Sequence, residues 1–316
     1  MWAPAVKPFA PQPSLAVYTY DNHDDAVSLY GSMLAKSASR LGVRFHVGAL
    51  VPNRNRRYKS ADRPRWLQRE LQTASTEVVM MADASDMILV CNASEMLAAR
   101  RKLGSMEDVL VGGEPNLWPG QIRYRGVLLK GAGSPYPPAI ARGNVRSPLR
   151  YVNAGGQIGS PKALLGLMRC MGQLFPGFPD NCPADSAPTT GGGASTFTAF
   201  WNDTTPYFHS KTVVLSKTGW GWDQACFQMY LMEQVHGLLP KGCPRMVIDY
   251  AADFFLSVGG SGKIEWQSEA GRARPTLKLT GGRPCVLHGN GVAGKPAIKR
   301  AMRAIVRIDR DAPRVN

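Results

Sequence analysis

The stretch VVMMADASDMILV, residues 78–90, sets Asp83 and Asp86 at the end of an apolar run. Two carboxylates this close repel each other, and beside a core each becomes costlier to ionise. A divalent cation offsets both charges, and hard oxygen ligands suit Mg²⁺ or Mn²⁺ bridging to a phosphate. Two surface aspartates in a turn, capping whatever follows, fit the same letters equally well. The choice rests on whether other segments supply the rest of a metal–diphosphate site.

Four segments are candidates. HGNG, residues 288–291, offers the imidazole of His288 beside Gly289, Asn290 and Gly291, and glycines let backbone N–H groups approach a phosphate. Lys295 follows closely enough to place an ammonium on that phosphate. YVNAGG presents Asn153 at what reads as a tight glycine turn, suited to sugar hydroxyls. WDQ places Asp223 and Gln224 at a helix start, where a carboxylate also serves as a simple cap. EPNLWP adds Glu114 and Trp118, the latter either a stacking platform for a sugar ring or part of the core.

These residues need a scaffold. Ser14–Tyr20 alternates and is β-prone, and Asp24–Leu41 carries apolar residues at helical spacing with a stop at Gly42. A strand over Val43–Val51 and a helix over Pro64–Thr73 follow. The strand ending at Asp83, a helix over Ser94–Lys102 and a strand over Asp108–Gly112 continue the alternation. Strands alternating with helices predict an α/β fold with a mostly parallel central sheet flanked by helices. YVNAGGQIGSP reads as strand–turn–strand before a helix over Lys162–Gln173. Residues 176–207, rich in Pro, Gly, Ser and Thr, form a long loop suited to a lid or to disorder. A helix over 221–235, strands over Met246–Asp249, Phe254–Val258 and Pro284–His288, and a basic amphipathic tail at about 296–316 complete a single domain.

The chain of 316 residues carries a net charge of +15, enough to invite a nucleic-acid reading. Its basic residues are dispersed and no nucleic-acid signature accompanies them, so an anionic small molecule fits as well. No apolar run approaches a membrane span. The N-terminus lacks a charged start followed by an apolar stretch, so no signal peptide is expected. Six cysteines without a CxxC pair argue against a zinc knuckle. Cys170–Cys182 and Cys226–Cys243 are candidate disulfides, with buried free thiols an equal alternative. Asn92 and Asn202 stand in formal glycosylation sequons that chance also produces.

The order of these motifs resembles the N-terminal glycosyltransferase domain of procollagen lysyl hydroxylases and, more distantly, glycogenin-like GT-A enzymes. The likeness spans roughly residues 14–295, with HGNG and YVNAGGQIG its most specific parts. It implies a GT-A fold, a Mn²⁺ ion and a UDP-sugar donor, glucose or galactose. The acceptor it implies is hydroxylysine or galactosyl-hydroxylysine in a collagen-like protein, and the compartment is the secretory pathway (endoplasmic reticulum). Carried over by motif, Asp83, Asp86 and His288 would ligate the metal, while Gly289, Asn290, Gly291 and Lys295 would surround the diphosphate. Thr19 would lie along the uridine. Asn153, Asp223 and Gln224 would address the donor sugar, with Asp223 the carboxylate nearest a retaining reaction, and Trp118 and Glu114 would line the acceptor side.

This sequence departs from the family in three places. Trp222 replaces the first of two aspartates before Gln224, Ser85 replaces an aromatic residue between the metal aspartates, and Lys295 lies one residue further from His288. The rival readings are a catalytically weakened nucleotide-sugar or carbohydrate-binding module and a metal phosphohydrolase; the latter leaves YVNAGG and HGNG without a role.

Overall fold

The structure, a computed structural model, describes residues 14–20, 32–47, 62–83, 86–117, 123–125, 127–175, 178, 222–259, 262–269 and 271–311. Its first strands are β1 (Leu15–Thr19), β2 (Arg44–Val47), β3 (Val78–Ala82), β4 (Met87–Leu89), β5 (Val109–Glu114), β6 (Arg123–Tyr124) and β7 (Val127–Leu128). Then come β8 (Tyr151–Gly159), β9 (Met246–Asp249), β10 (Phe255–Ser257), β11 (Ile264–Glu269), β12 (Arg272–Leu277) and β13 (Val286–His288). The helices are α1 (Met33–Arg40), α2 (Asp62–Thr73), α3 (Ala93–Lys102), α4 (Pro161–Leu174), α5 (Trp222–Val235) and α6 (Gly291–Asp311).

The central sheet has six strands in the order β2-β1-β3-β8-β5-β9. Only β8 runs against the others, so the expected mostly parallel sheet flanked by helices is what forms. A second sheet, β10-β13-β4, lies against one face. Alternation along each strand divides the core between the faces. Ala16, Tyr18, Val79 and Met81 pack with Trp66, Leu67, Leu164, Leu167, Phe227 and Tyr230 of α2, α4 and α5. Leu15, Val17, Val78 and Met80 pack with Leu34 and Ala38 of α1, with the second sheet, and with Ile298 and Ile305 of α6.

Local chemistry accounts for the ends of several elements. Ser32 caps α1, accepting from the Ala35 N–H, and Gly42 at φ +63° follows its last turn. Asn92 and Glu95 form a reciprocal capping box on α3, so the Asn92 side chain of the first sequon is spent on the helix start. Glu95 is further held by Arg272 and Arg274 of β12.

Some expectations need correction. YVNAGGQIG is a single nine-residue strand rather than strand–turn–strand. Gly155 and Gly156 lie in its middle without positive φ, because there the glycines permit close approach instead of a turn. The hairpin β11–β12 is not among the expected strands: β12 alternates, burying Ala273, Pro275 and Leu277, but its proline reads against a strand, and β11 is exposed or half-exposed throughout. The basic tail begins earlier than expected, at Gly291, and buries Ile298, Ala301 and Ile305. The cysteines pair as Cys91–Cys285 and Cys170–Cys243, and Cys226 is also disulfide-bonded. Both proposed pairings and the free-thiol alternative therefore fail, since α4 sets Cys170 beside the segment entering β9 and β4 sets Cys91 beside β13. The long loop over 176–207 and Asn202 lie outside the described residues, apart from Phe178. Among the described residues no helix is long and apolar enough to cross a membrane.

Candidate metal centre

β1 is flanked on both sides by parallel strands, β2 and β3, so helices leave the sheet in opposite senses there. The crevice at the carboxyl ends of such strands is where open α/β sheets bind ligands. Thr19 ends β1, and its buried hydroxyl donates to the Ala82 carbonyl at 2.7 Å, tying the ends of β1 and β3 together. The chain leaves β3 at Asp83 and enters the second sheet at Met87, just after Asp86. His288 ends β13 directly opposite Met87 in the antiparallel pair. Two backbone bonds fix this corner: Asp83 N–H to the Gly155 carbonyl at 2.9 Å, and Gly289 N–H to the Asp86 carbonyl at 2.7 Å.

Asp83, Asp86 and His288 thus converge, with one ligand atom from each lying within 4.8 Å of the others. His288 Nε2 is 3.4 Å from Asp86 Oδ1 and 3.6 Å from Asp83 Oδ2. Asp86 Oδ1 and His288 Nε2 are buried and, apart from their approach to each other and that of Nε2 to Asp83, have no polar partner, as ligand atoms facing a cation site would. Two oxygen donors and one imidazole nitrogen are a set that could hold a divalent metal ion. The room comes from Gly155: a Cβ there would lie 2.4 Å from His288 Cε1 and 2.7 Å from Asp83 Oδ2. Gly156 is similarly crowded by Phe255 and Met87.

A second layer lies under the ligands. His288 Nδ1 sits 2.9 Å from Asn153 Oδ1, which also accepts from the Gly155 N–H at 2.9 Å. Asn153 Nδ2 donates to Glu114 Oε2 at 3.3 Å. Glu114 also accepts from the carboxamides of Gln224 and Asn290, and Asn290 Oδ1 accepts from the Ser257 hydroxyl. Burial pushes the Glu114 carboxyl up to about 7, against the lowering influence of these donors and of His288. For Asp86, burial opposes ionisation, but His288, Lys295 and Arg63 outweigh it and lower the pKa. For His288, burial opposes the charge, but Asp86, Asp83 and Glu114 outweigh it and raise the pKa.

Of the residues expected at the site, Asp83, Asp86, His288, Asn153, Glu114, Gln224 and Asn290 are brought together. Glu114 and Asn153 lie within the protein, only 4% and 3% exposed. Gly289 packs against Gly294 and Ile298, where a Cβ would lie 2.6 Å from the Ile298 side chain, so the entry to α6 is held tightly. Gly291 opens that helix, and Lys295, exposed on its second turn, is near enough to stabilise ionised Asp86. Thr19 stands at the edge of the crevice with its hydroxyl already committed. Asp223 is the second residue of α5, but its side chain, like Trp118, Ser85 and the Trp222 side chain, lies outside the described residues.

Arg63 was missed. It stands near the start of α2, with one guanidinium nitrogen 2.7 Å from Asp83 Oδ1 and another donating to the Ala154 carbonyl at 3.4 Å. In the sequence it follows Arg54, Arg56, Arg57 and Lys59, and nothing in its spacing separates it from them. Ser257, also missed, needed the β10–β13 pairing to come beside Asn290.

Neither a protein-family model nor a curated protein matches the chain. Among solved structures it is similar to a glycosyltransferase involved in the glycosylation of the major capsid of PBCV-1. The two are 11% identical over 92% of this chain and 100% of that chain, with a TM-score of 0.41.

Proposed function

We propose that this chain is a metal-dependent glycosyltransferase of GT-A type that moves a hexose from a UDP-sugar to a hydroxylated acceptor. The observation that carries the reading is the convergence of Asp83, Asp86 and His288 at the carboxyl end of β3, with two buried ligand atoms lacking other partners. The donor being UDP-glucose or UDP-galactose, and the acceptor being hydroxylysine or galactosyl-hydroxylysine of a collagen-like protein, rest on the motif resemblance.

Asp83, Asp86 and His288 would hold the metal, which when bound supplies charge neutralisation for a departing diphosphate. The residues around them act in the same direction. The N-terminus of α6 at Gly291 carries partial positive charge, and Lys295 adds a full one. Asn290 is held by Ser257 and Glu114, so the turn entering α6 is presented without freedom to collapse. Arg63 holds the Asp83 carboxylate in place and adds a further cation. Gln224, the third residue of α5, reaches the same cluster through its carboxamide. Asp223 as the carboxylate beside the anomeric carbon, Trp118 at the acceptor and Thr19 along the uridine are proposed from the motif alone.

A donor screen with Mn²⁺ tests the reading. Wild type should release UDP from UDP-glucose or UDP-galactose, and Asp86→Ala should lower kcat/KM by at least about 100-fold, the order expected when a centre of charge stabilisation is removed. Equal activity in Asp86→Ala would remove the metal assignment. UDP binding with neither transfer nor donor hydrolysis would instead mark a binding module.

A further inference from the structure

The buried carboxamide of Asn153 reads as a sugar contact in the sequence, but its atoms are spent elsewhere. Oδ1 faces His288 Nδ1 and the Gly155 N–H, both at 2.9 Å, and Nδ2 faces Glu114. We infer that Asn153 is a positioning residue for the metal histidine: it holds the proton on Nδ1 of His288, so that the Nε2 lone pair points at Asp83 and Asp86. The inference rests on the metal reading above, and it assigns Asn153 a task that acts through His288 rather than on the sugar.

Hydrogen-bond polarity decides the point. Which end of a carboxamide is oxygen follows from its neighbours, and here two independent neighbours agree. The Gly155 N–H is a donor only, so the atom it meets must be the oxygen. The Glu114 carboxylate, when ionised, accepts from three carboxamides, so the atom it then meets is the nitrogen. With Oδ1 thus turned toward His288, the imidazole nitrogen 2.9 Å away must be the one that carries hydrogen. A neutral ring has a single N–H, so Nε2 is left as the acceptor, and Nε2 is the nitrogen that faces both aspartates. Orientation of a metal histidine through its second nitrogen is typically worth about 10–100-fold in metal affinity. Glu114 contributes at one remove, by holding the amide of Asn153.

Three proteins and two readouts test this: wild type, Asn153→Ala and Asn153→Asp, each checked for folding by thermal melting. Mn²⁺ alone is titrated and followed by electron paramagnetic resonance. Asn153→Ala should weaken Mn²⁺ binding by about 10–100-fold. Asn153→Asp keeps an oxygen on Nδ1–H and, with one proton shared between its outer oxygen and the Glu114 carboxyl, should bind within about threefold of wild type, because carboxylate–histidine–metal arrangements work the same way. Independently, ¹⁵N spectra of His288 in metal-free protein, in alkaline buffer where the ring is neutral, should place the proton on Nδ1 in wild type and Asn153→Asp. In Asn153→Ala the proton should redistribute toward Nε2. Wild-type binding by Asn153→Ala would overturn the inference, as would equal losses in the two variants or an Nε2 proton in wild type. Failure of wild type itself to bind Mn²⁺ would instead strike the metal reading, and the tautomer spectra would still decide whether Asn153 sets the ring.

Discussion

The substitution Glu114→Gln should reverse part of the pH dependence of stability. Glu114 sits 4% exposed beneath the Asp83–Asp86–His288 cluster, and burial holds its carboxyl at about 7 instead of 4.5. A carboxyl whose pKa is raised by folding stabilises the native state fully below its unfolded value, and that contribution is lost as pH rises through the folded value. The window here is about 4.5 to 7. Across it the wild type should lose about 3 kcal/mol that a glutamine, which does not titrate, retains. The substituted carboxamide also meets three carboxamide donors with a single oxygen, which adds a penalty that does not change with pH. The decisive quantity is therefore the slope. Urea unfolding of both proteins at several pH values should show the variant gaining on wild type by about 3 kcal/mol between acid and slightly alkaline buffer. A difference that stays flat within about 1 kcal/mol, or that moves the other way, would refute the view that Glu114 is held as a reluctant carboxylate.

Other substitutions probe separate parts of the site and its frame. Gly155→Ala should weaken Mn²⁺ binding at least about tenfold, measured by paramagnetic resonance, because the new Cβ would overlap His288 and Asp83. Asp249→Asn should cost about 2–4 kcal/mol in urea unfolding, since Asp249 accepts from the backbone N–H groups of Asp253, Phe254 and Phe255, and an amide turns a donor toward some of them. Cys91→Ser should cost about 2–5 kcal/mol by the same assay, the range for loss of a native disulfide.

The sequence carried the framework well where local physics sufficed. The alternation of Ser14–Tyr20, the apolar run Val78–Ala82, the Gly42 stop and the apolar spacing of Trp222–Val235 each answer to short-range rules, so those elements appear close to their expected places. The same rules failed for YVNAGG, because glycine serves both tight turns and close approach, and only the neighbour above Gly155 distinguishes them. Cysteine pairing failed for a related reason: Cys91 and Cys285 are 194 residues apart and meet only because β4 pairs with β13.

By itself, then, the amino-acid order determined which chemical groups this protein owns and which strands and turns carry them: two aspartates ending an apolar run, an imidazole in a glycine turn, a carboxamide in YVNAGG. Tertiary structure decided which way those groups face. Arg63 became a partner of Asp83, Asn153 turned beneath His288, and Glu114 became a buried acceptor for three amides. The physical reason is that side-chain identity and local spacing are properties of neighbouring residues. Burial, hydrogen-bond polarity and the crowding around a missing Cβ arise only when β3, β5, β8 and β13 are brought side by side.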